Sequence, residues 1–215
     1  MNTDKSRTHS FGQINDLNAL DRLNQWLSLK KINRHLSISN QSVIADIGCG
    51  FNASVSRSFQ NNCRSLWLVD LKIEPKLKDK ELHSNLEIIE GRIPEVLSSL
   101  PANYFDCIIL NSVLEHLENP VETLGYLHNS LKPGGKLWIN VPNWYGKIIL
   151  EFFAFKLGIS PVDEMNDHKM YYSKIQLWPL LISAGFKPSN IRLGSHKFLM
   201  CTWALCTKEK IENLS

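Results

Sequence analysis

The run Val43-Ile44-Ala45-Asp46-Ile47 is short and largely apolar, and it breaks at once into Gly48-Cys49-Gly50-Phe51-Asn52-Ala53. Such a run predicts a strand buried on both faces of a parallel sheet. A helix-compatible segment, Ala53 to Gln60, follows the glycines. A buried strand turning tightly into a helix delivers backbone N–H groups and the positive end of a helix dipole to one point. Two glycines there allow a sharp turn and let a ligand lie against bare backbone. The stretch therefore predicts a nucleotide-type binding crevice. Its loop, Gly48-x-Gly50-x-x-Ala53, fits a loose dinucleotide pattern that alone discriminates little. Asp46 discriminates more. A carboxylate two positions before the first glycine would repel a pyrophosphate but suits a ligand with a cationic amino acid head. The other reading of Asp46 is a cap on the turn.

Length and charge set outer bounds. A chain of 215 residues with 43% hydrophobic content fits one domain with a sizeable core. A net charge of +3 gives no argument for nucleic acid or an anionic membrane. Met1 to Ser10 is polar, without the apolar core of a signal peptide, and no apolar run reaches the ~18–20 residues that span a bilayer. Cys49, Cys63, Cys107, Cys201 and Cys206 lack metal-type pair spacing and read as reduced, mostly buried thiols. The expectation is a cytoplasmic protein, monomer or homodimer, with no metal, no nucleic-acid partner and no membrane span.

Along the chain, Ile14 to Ile32 carries Leu17, Leu20, Leu23, Leu27 and Leu29, with Trp26 near the stripe, and predicts an amphipathic helix. Apolar runs then alternate with other segments, which predicts a doubly wound α/β domain with helices on both faces. Strand two is Ser65 to Asp70, ending in a carboxylate 24 residues beyond Asp46, the spacing of an acid that accepts from ribose hydroxyls. Leu86 to Ile89 reads as strand three, and Phe105 to Leu110 as strand four. A helix from Pro120 to Leu131, a Pro133-Gly134-Gly135 turn and strand five, Leu137 to Val141, follow. A helix from Lys174 to Ala184, stopped by Gly185, precedes two last strands, Asn190 to Leu193 and Phe198 to Thr207.

Several of these motifs resemble one family. Asp46-x-Gly48-x-Gly50 resembles motif I of the class I methyltransferases that use S-adenosylmethionine. Phe105-Asp106 with Glu115-His116 beyond the strand resembles their motif IV, and Leu131-Lys132-Pro133-Gly134-Gly135 is close to a family signature before strand five. The resemblance covers roughly residues 42–141. The cadence His168-x-x-Tyr171-Tyr172-Ser173 with Ala184-Gly185-Phe186 resembles bacterial members associated with surface glycans and small metabolites. The resemblance implies a Rossmann-like, seven-stranded, mostly parallel sheet with an antiparallel last strand. It divides a single domain, 1–215, into an N-terminal helical lid region (1–41), a cofactor-binding core (42–141), a substrate-side insertion (142–172), a last helix with strands (173–207) and a tail (208–215). One departure stands out: Arg92 occupies the place where these enzymes usually carry an Asp that bonds the adenine amino group. Either a backbone carbonyl takes over, or Glu90 does, or adenine affinity is weaker.

The site that follows has S-adenosyl-L-methionine held by Asp46, Gly48, Cys49, Gly50, Asp70, Leu71, Arg92, Ile93 and Asn111. The acceptor would meet Trp144, Tyr145, Tyr171 and Tyr172. Methyl transfer from a sulfonium needs alignment, and a base only where the acceptor must lose a proton. His168 and His116 are the candidate bases, because imidazole titrates near neutral pH. Packing is the alternative role for His116, and a surface loop for His168. The aromatic stretch from Trp144 to Phe155 reads as core, lid or an exposed patch. The predicted activity is methyl transfer to oxygen or nitrogen of a small-molecule or glycan-precursor acceptor. Two other readings share parts of the pattern. A non-catalytic partner subunit would explain Arg92. An NAD-dependent oxidoreductase would use the glycine loop and Asp70 but leaves Asp46, Glu115-His116 and the Lys-Pro-Gly-Gly turn without a role.

Overall fold

The structure, a computed structural model, describes residues 9–14, 18–151 and 167–210. Seven strands form one sheet: β1 (Val43–Ile47), β2 (Ser65–Asp70), β3 (Leu86–Glu90), β4 (Phe105–Asn111), β5 (Leu131–Pro142), β6 (Ile191–His196) and β7 (Cys201–Thr207), in the order β3-β2-β1-β4-β5-β7-β6. β3, β2, β1, β4 and β5 are mutually parallel. β7 runs antiparallel to both β5 and β6. The predicted Rossmann-like sheet with an antiparallel last strand is thus present. The order in which strands are added reverses between β1 and β4, and that switch point opens a crevice at the strands' carboxyl ends.

All five residues of β1 are buried, as a central parallel strand requires. Its side chains alternate between two cores. Val43, Ala45 and Ile47 join Leu124 and Leu127 of α2 (Pro120–Ser130) and Leu177 and Leu181 of α4 (Lys174–Ser183) on one face. Ile44 joins Leu66, Leu68, Trp138 and Ile32 of α1 (Ala19–His35) on the other. A fourth helix, α3 (Trp144–Glu151), leaves the end of β5. No helix among the described residues is long and apolar enough to cross a membrane.

The departures have local causes. The segment after the glycine loop is a short 3₁₀ helix, Ser56–Asn62, rather than an α-helix from Ala53. Ala53 itself lies at φ +46°, outside helical space. The predicted N-terminal stripe does not map to one buried face. α1 begins at Ala19, capped by Asn18 and Asp21, and buries Ser28 and Ile32 while Leu23 and Trp26 are exposed. Strand pairing around the Pro-Gly-Gly turn skips from Phe105↔Leu131 to Cys107↔Lys136, so residues 132–135 bulge as a turn would, with Gly134 at φ +80°. Residues 15–17 of the helix predicted from Ile14, the aromatics Phe152, Phe153 and Phe155, and the tail beyond 210 lie outside the described residues.

Candidate active site

A cavity of about 860 Å³ opens at the carboxyl ends of β1, β2 and β4. Gly48, Cys49, Gly50, Asp70, Leu71, Arg92, Ile93 and Asn111 line it, as do both candidate bases, His116 and His168. Eight of the nine predicted cofactor residues therefore share one wall system.

Gly48 and Gly50 take φ +72° and +77°, where a side chain is strained. A Cβ on Gly48 would meet Val113 Cγ2 at 2.2 Å. Most of the loop's donors are already used within the protein. Gly48 N–H and Cys49 N–H donate to Val69 O at 2.7 and 3.2 Å, Phe51 N–H to Phe11 O at 2.9 Å and Ala53 N–H to Gly50 O at 3.2 Å. Gly50 N–H donates to Asp70 Oδ2 at 2.7 Å. The prediction of available backbone donors is corrected here, and with no α-helix following, the dipole argument falls too. A phosphate cradle needs such donors. This loop instead offers bare backbone flanked by carboxylates.

Asp46, the ninth cofactor residue, is 3% exposed and lies behind the loop rather than on the cavity wall. Burial raises its carboxyl to about 7, against a hydrogen bond from Ser56, and the charge of Asp70 adds to the rise. Cys49 is raised well above the usual thiol value by burial first, then by Asp46 and Asp70. Two carboxylates beneath one loop favour a cationic ligand and oppose a pyrophosphate. Asn111 Oδ1, buried on the same wall, has no hydrogen-bond partner among the described residues. The narrow glycine cradle, the acidic floor and this waiting acceptor fit S-adenosylmethionine.

Asp70 sits at the end of β2, where the ribose reading needs it, and it is already heavily engaged. Its Oδ1 accepts from Leu71 N–H at 2.7 Å and from Ser10 Oγ at 2.5 Å. Ser10 Oγ in turn accepts from Lys72 N–H at 2.7 Å. The sequence reading missed Ser10, as well as Phe11 and Gly12, which line the cavity beside Leu20, Asp21, Asn24, Gln25 and Ser28 of α1. The polar residues interrupting the α1 stripe were the available signal. Glu90 does not replace the missing adenine acid. Burial pushes its carboxyl up, but the Ile73 N–H, Lys78 and Lys72 outweigh burial and hold it low, turned toward the 73–78 segment. Arg92 is exposed at the cavity rim.

On the acceptor side, none of the four predicted contacts is among the residues lining the cavity. Trp144 and Tyr145 are 47% and 59% exposed and are not among the residues lining the cavity. They start α3, and the Trp144 ring nitrogen donates to Gln176 Oε1 on α4. Tyr172 is core, packed in the cluster under α2 and α4, with its N–H donating to Pro142 O. Tyr171 is buried too, and its hydroxyl lies 3.0 Å from His168 Nδ1. It supports a cavity residue instead of lining the cavity. His116 closes a short 3₁₀ turn, Leu114–His116, after β4. Its Nδ1 lies 2.9 Å from Asp167 Oδ2.

Comparisons agree with this geometry. Residues 45–139 match the family described as "Methyltransferase domain", a span running from β1 through most of β5. The chain is similar to the mitochondrial ubiquinone biosynthesis O-methyltransferase of Dictyostelium discoideum, 24% identical over 187 residues, covering 79% of this chain and 57% of that protein. It is also similar to the malonyl-[acyl-carrier protein] O-methyltransferase of Halalkalibacterium halodurans, 33% identical over 99 residues, 44% of this chain and 36% of that one. The chain thus spans about a third to just over half the length of these relatives. A SAM-dependent methyltransferase from Archaeoglobus fulgidus has the same fold, with a TM-score of 0.60 at 17% identity over 86% of this chain and 94% of that one. The matched span holds the glycine loop, Asp70 and His116, the residues that the geometry had already singled out, so from β1 into β5 the chain is similar to a methyltransferase domain.

Proposed function

We propose that this protein moves a methyl group from S-adenosylmethionine to an oxygen or nitrogen of a small-molecule or glycan-precursor acceptor in the cytoplasm. One observation carries the reading: a single cavity joins the acid-floored glycine loop to two imidazoles, His116 and His168. A volume of about 860 Å³ falls within the range of small-molecule sites, roughly 300–1,000 Å³. Both relatives named above are O-methyltransferases by name, which puts oxygen ahead of nitrogen.

When bound, the cofactor supplies an electrophilic methyl group whose leaving group needs no proton. The remaining work falls to the protein. Asp70 would take ribose hydroxyls, sharing or replacing the Ser10 contact. Gly48 and Gly50 let the ligand approach backbone, and Asp46 with Asp70 balances its positive charge. His116 and His168 stand where an acceptor hydroxyl could give up its proton. Holding the acceptor in line is worth several kcal/mol, up to roughly 7–11.

Calorimetry with S-adenosylmethionine, its demethylated product and NAD tests the first half. A clear NAD isotherm with no response to the other two would overturn it. A screen of small hydroxyl and amine compounds, glycan precursors and RNA with radiolabelled methyl donor tests the second. Label transferred only to RNA would replace the acceptor class.

A further inference from the structure

The wall facing the glycine loop is built more tightly than a pair of loose imidazoles. Segment 167–170 is fastened to the end of the β4 turn by two backbone bonds, Lys169 N–H and Met170 N–H to Glu115 O, at 2.8 and 3.2 Å. Lys169 Nζ adds an ion pair to Glu118 at 2.6 Å. That fastening brings Asp167 against His116, with Oδ2 at 2.9 Å from Nδ1 and the two side chains only 18% and 13% exposed. The His168 ring lies 4.8 Å from the His116 ring, tilted by 51°. All three residues line the cavity.

We infer that Asp167 is a positioning residue that makes His116, rather than His168, the base of the methyl-transfer reaction proposed above, on which this inference rests. Two oxygens of Asp167 face His116 Nδ1, the carboxylate Oδ2 at 2.9 Å and the backbone carbonyl at 3.4 Å, and both can only accept, so that nitrogen carries the hydrogen. Neutral imidazole has one N–H hydrogen, so Nε2 is left with its lone pair for the acceptor. The acceptor O–H bond breaks with its electron pair kept by oxygen, and the proton bonds to Nε2. The resulting imidazolium is stabilised by the Asp167 charge on its other nitrogen, the logic of a His–Asp pair in acyl transfer. His168 is placed differently. Its Nδ1 contact is to the Tyr171 hydroxyl, which can donate or accept and so does not enforce a tautomer. His168 serves as an acceptor contact beside the base. Asp167 comes from a part of the chain 51 residues beyond His116, and no motif spacing connects them.

The test reads tautomers before it reads turnover. Two-bond proton–nitrogen correlation spectra of the imidazoles in the nitrogen-labelled full chain, with the demethylated cofactor product present, should show His116 as the Nδ1–H form. In Asp167→Asn the Nε2–H form should grow, while in Tyr171→Phe His116 should be unchanged. A wild-type His116 in the Nε2–H form overturns the inference without any variant, so a misfolded Asp167→Asn cannot protect it. Added Zn²⁺ shifting the His116 and His168 signals together at stoichiometric amounts also overturns it, in favour of a metal site at Glu115, His116 and His168. With an acceptor from the labelled-methyl screen, Asp167→Asn should lower kcat at least about tenfold while the acceptor KM and the cofactor Kd stay within about twofold. A raised KM with unchanged kcat would make Asp167 a binding residue and defeat the assignment. Failure to bind the methyl donor at all would instead sink the reaction proposed above, leaving the tautomer result standing.

Discussion

The two halves of the cavity are made of different material. The cofactor half is backbone: a buried strand, two glycines at positive φ, and a loop whose N–H groups are tied to Val69, Phe11, Gly50 and Asp70. The half proposed to take the acceptor is side chains, Asp167, His116 and His168 with Tyr171 behind them, brought in on loops and held by a few long-range bonds. A backbone-built wall is rigid because its shape is fixed by sheet register. A side-chain wall can be changed one residue at a time without disturbing the sheet, which is how one scaffold serves many acceptors.

That contrast predicts that a single methyl group breaks the first half and spares the second. Gly48→Ala places a Cβ 2.2 Å from Val113 Cγ2 in a left-handed conformation. Overpacking and backbone strain together should cost about 2–5 kcal/mol of stability. Cofactor affinity should fall at least a hundredfold in whatever remains folded, by thermal melts and calorimetry. Adding Val113→Ala should recover the packing part and leave the backbone part. Full recovery would show that φ at this position matters little.

His116→Ala tests the other half. It should lower kcat by at least about a hundredfold, since a general base typically contributes 10²–10⁴. Cofactor affinity should stay near wild type, because the loop wall does not depend on this ring. A matching loss of cofactor affinity would dissolve the division between the halves. His168→Ala, by contrast, should act mainly on the acceptor KM.

Asp70→Ala should have a smaller effect than either. Removing a charged acceptor of hydrogen bonds should weaken cofactor binding by about 1.5–3 kcal/mol. Because Asp70 also receives Ser10 Oγ and Gly50 N–H, the variant should loosen the 9–14 segment as well, read as faster amide exchange at Phe51, whose N–H donates to Phe11 O. Unchanged affinity in a folded variant would end the ribose assignment.

How much of this was legible follows the same division. Strands β1, β2 and β4 declare themselves, because burial on both faces demands unbroken apolar runs, and Asp70 was found because it ends one of them. Asp46 was found, but not its depth: the run tells that Ile44 and Ile47 are buried and is silent on which core receives the side chain between them. The α1 stripe misled because leucine spacing describes a face without naming its partner. There the partner is partly a polar cavity, so Ser28 goes in and Trp26 stays out. Tyr171 and Tyr172 looked like acceptor contacts because aromatic residues near a site usually are. They are buried in support of it. Ser10 and Asp167 were illegible for one reason: each acts through a contact across more than fifty residues, and nothing local marks its role.

The smallest predicted effect concerns Asp46, where the two halves meet through charge alone. Its carboxyl stands at about 7, raised chiefly by burial. The folded protein therefore holds a proton that the unfolded chain has released between about pH 4 and 7. Stability of the cofactor-free protein falls as pH rises through that window, and above it the penalty of a buried charge is fully present. Cofactor binding runs the opposite way. A sulfonium and an ammonium nearby favour the ionised carboxylate and lower its pKa, so binding releases up to one proton below about pH 7. Affinity should rise with pH, by at most tenfold per unit, and flatten above about 7. Calorimetry in two buffers of different ionisation heat counts the protons directly, and Asp46→Asn should abolish both the release and the slope. A slope that survives in Asp46→Asn would have to come from elsewhere in the cavity, with the titrating group on the acceptor side and the acid floor of the loop electrostatically inert.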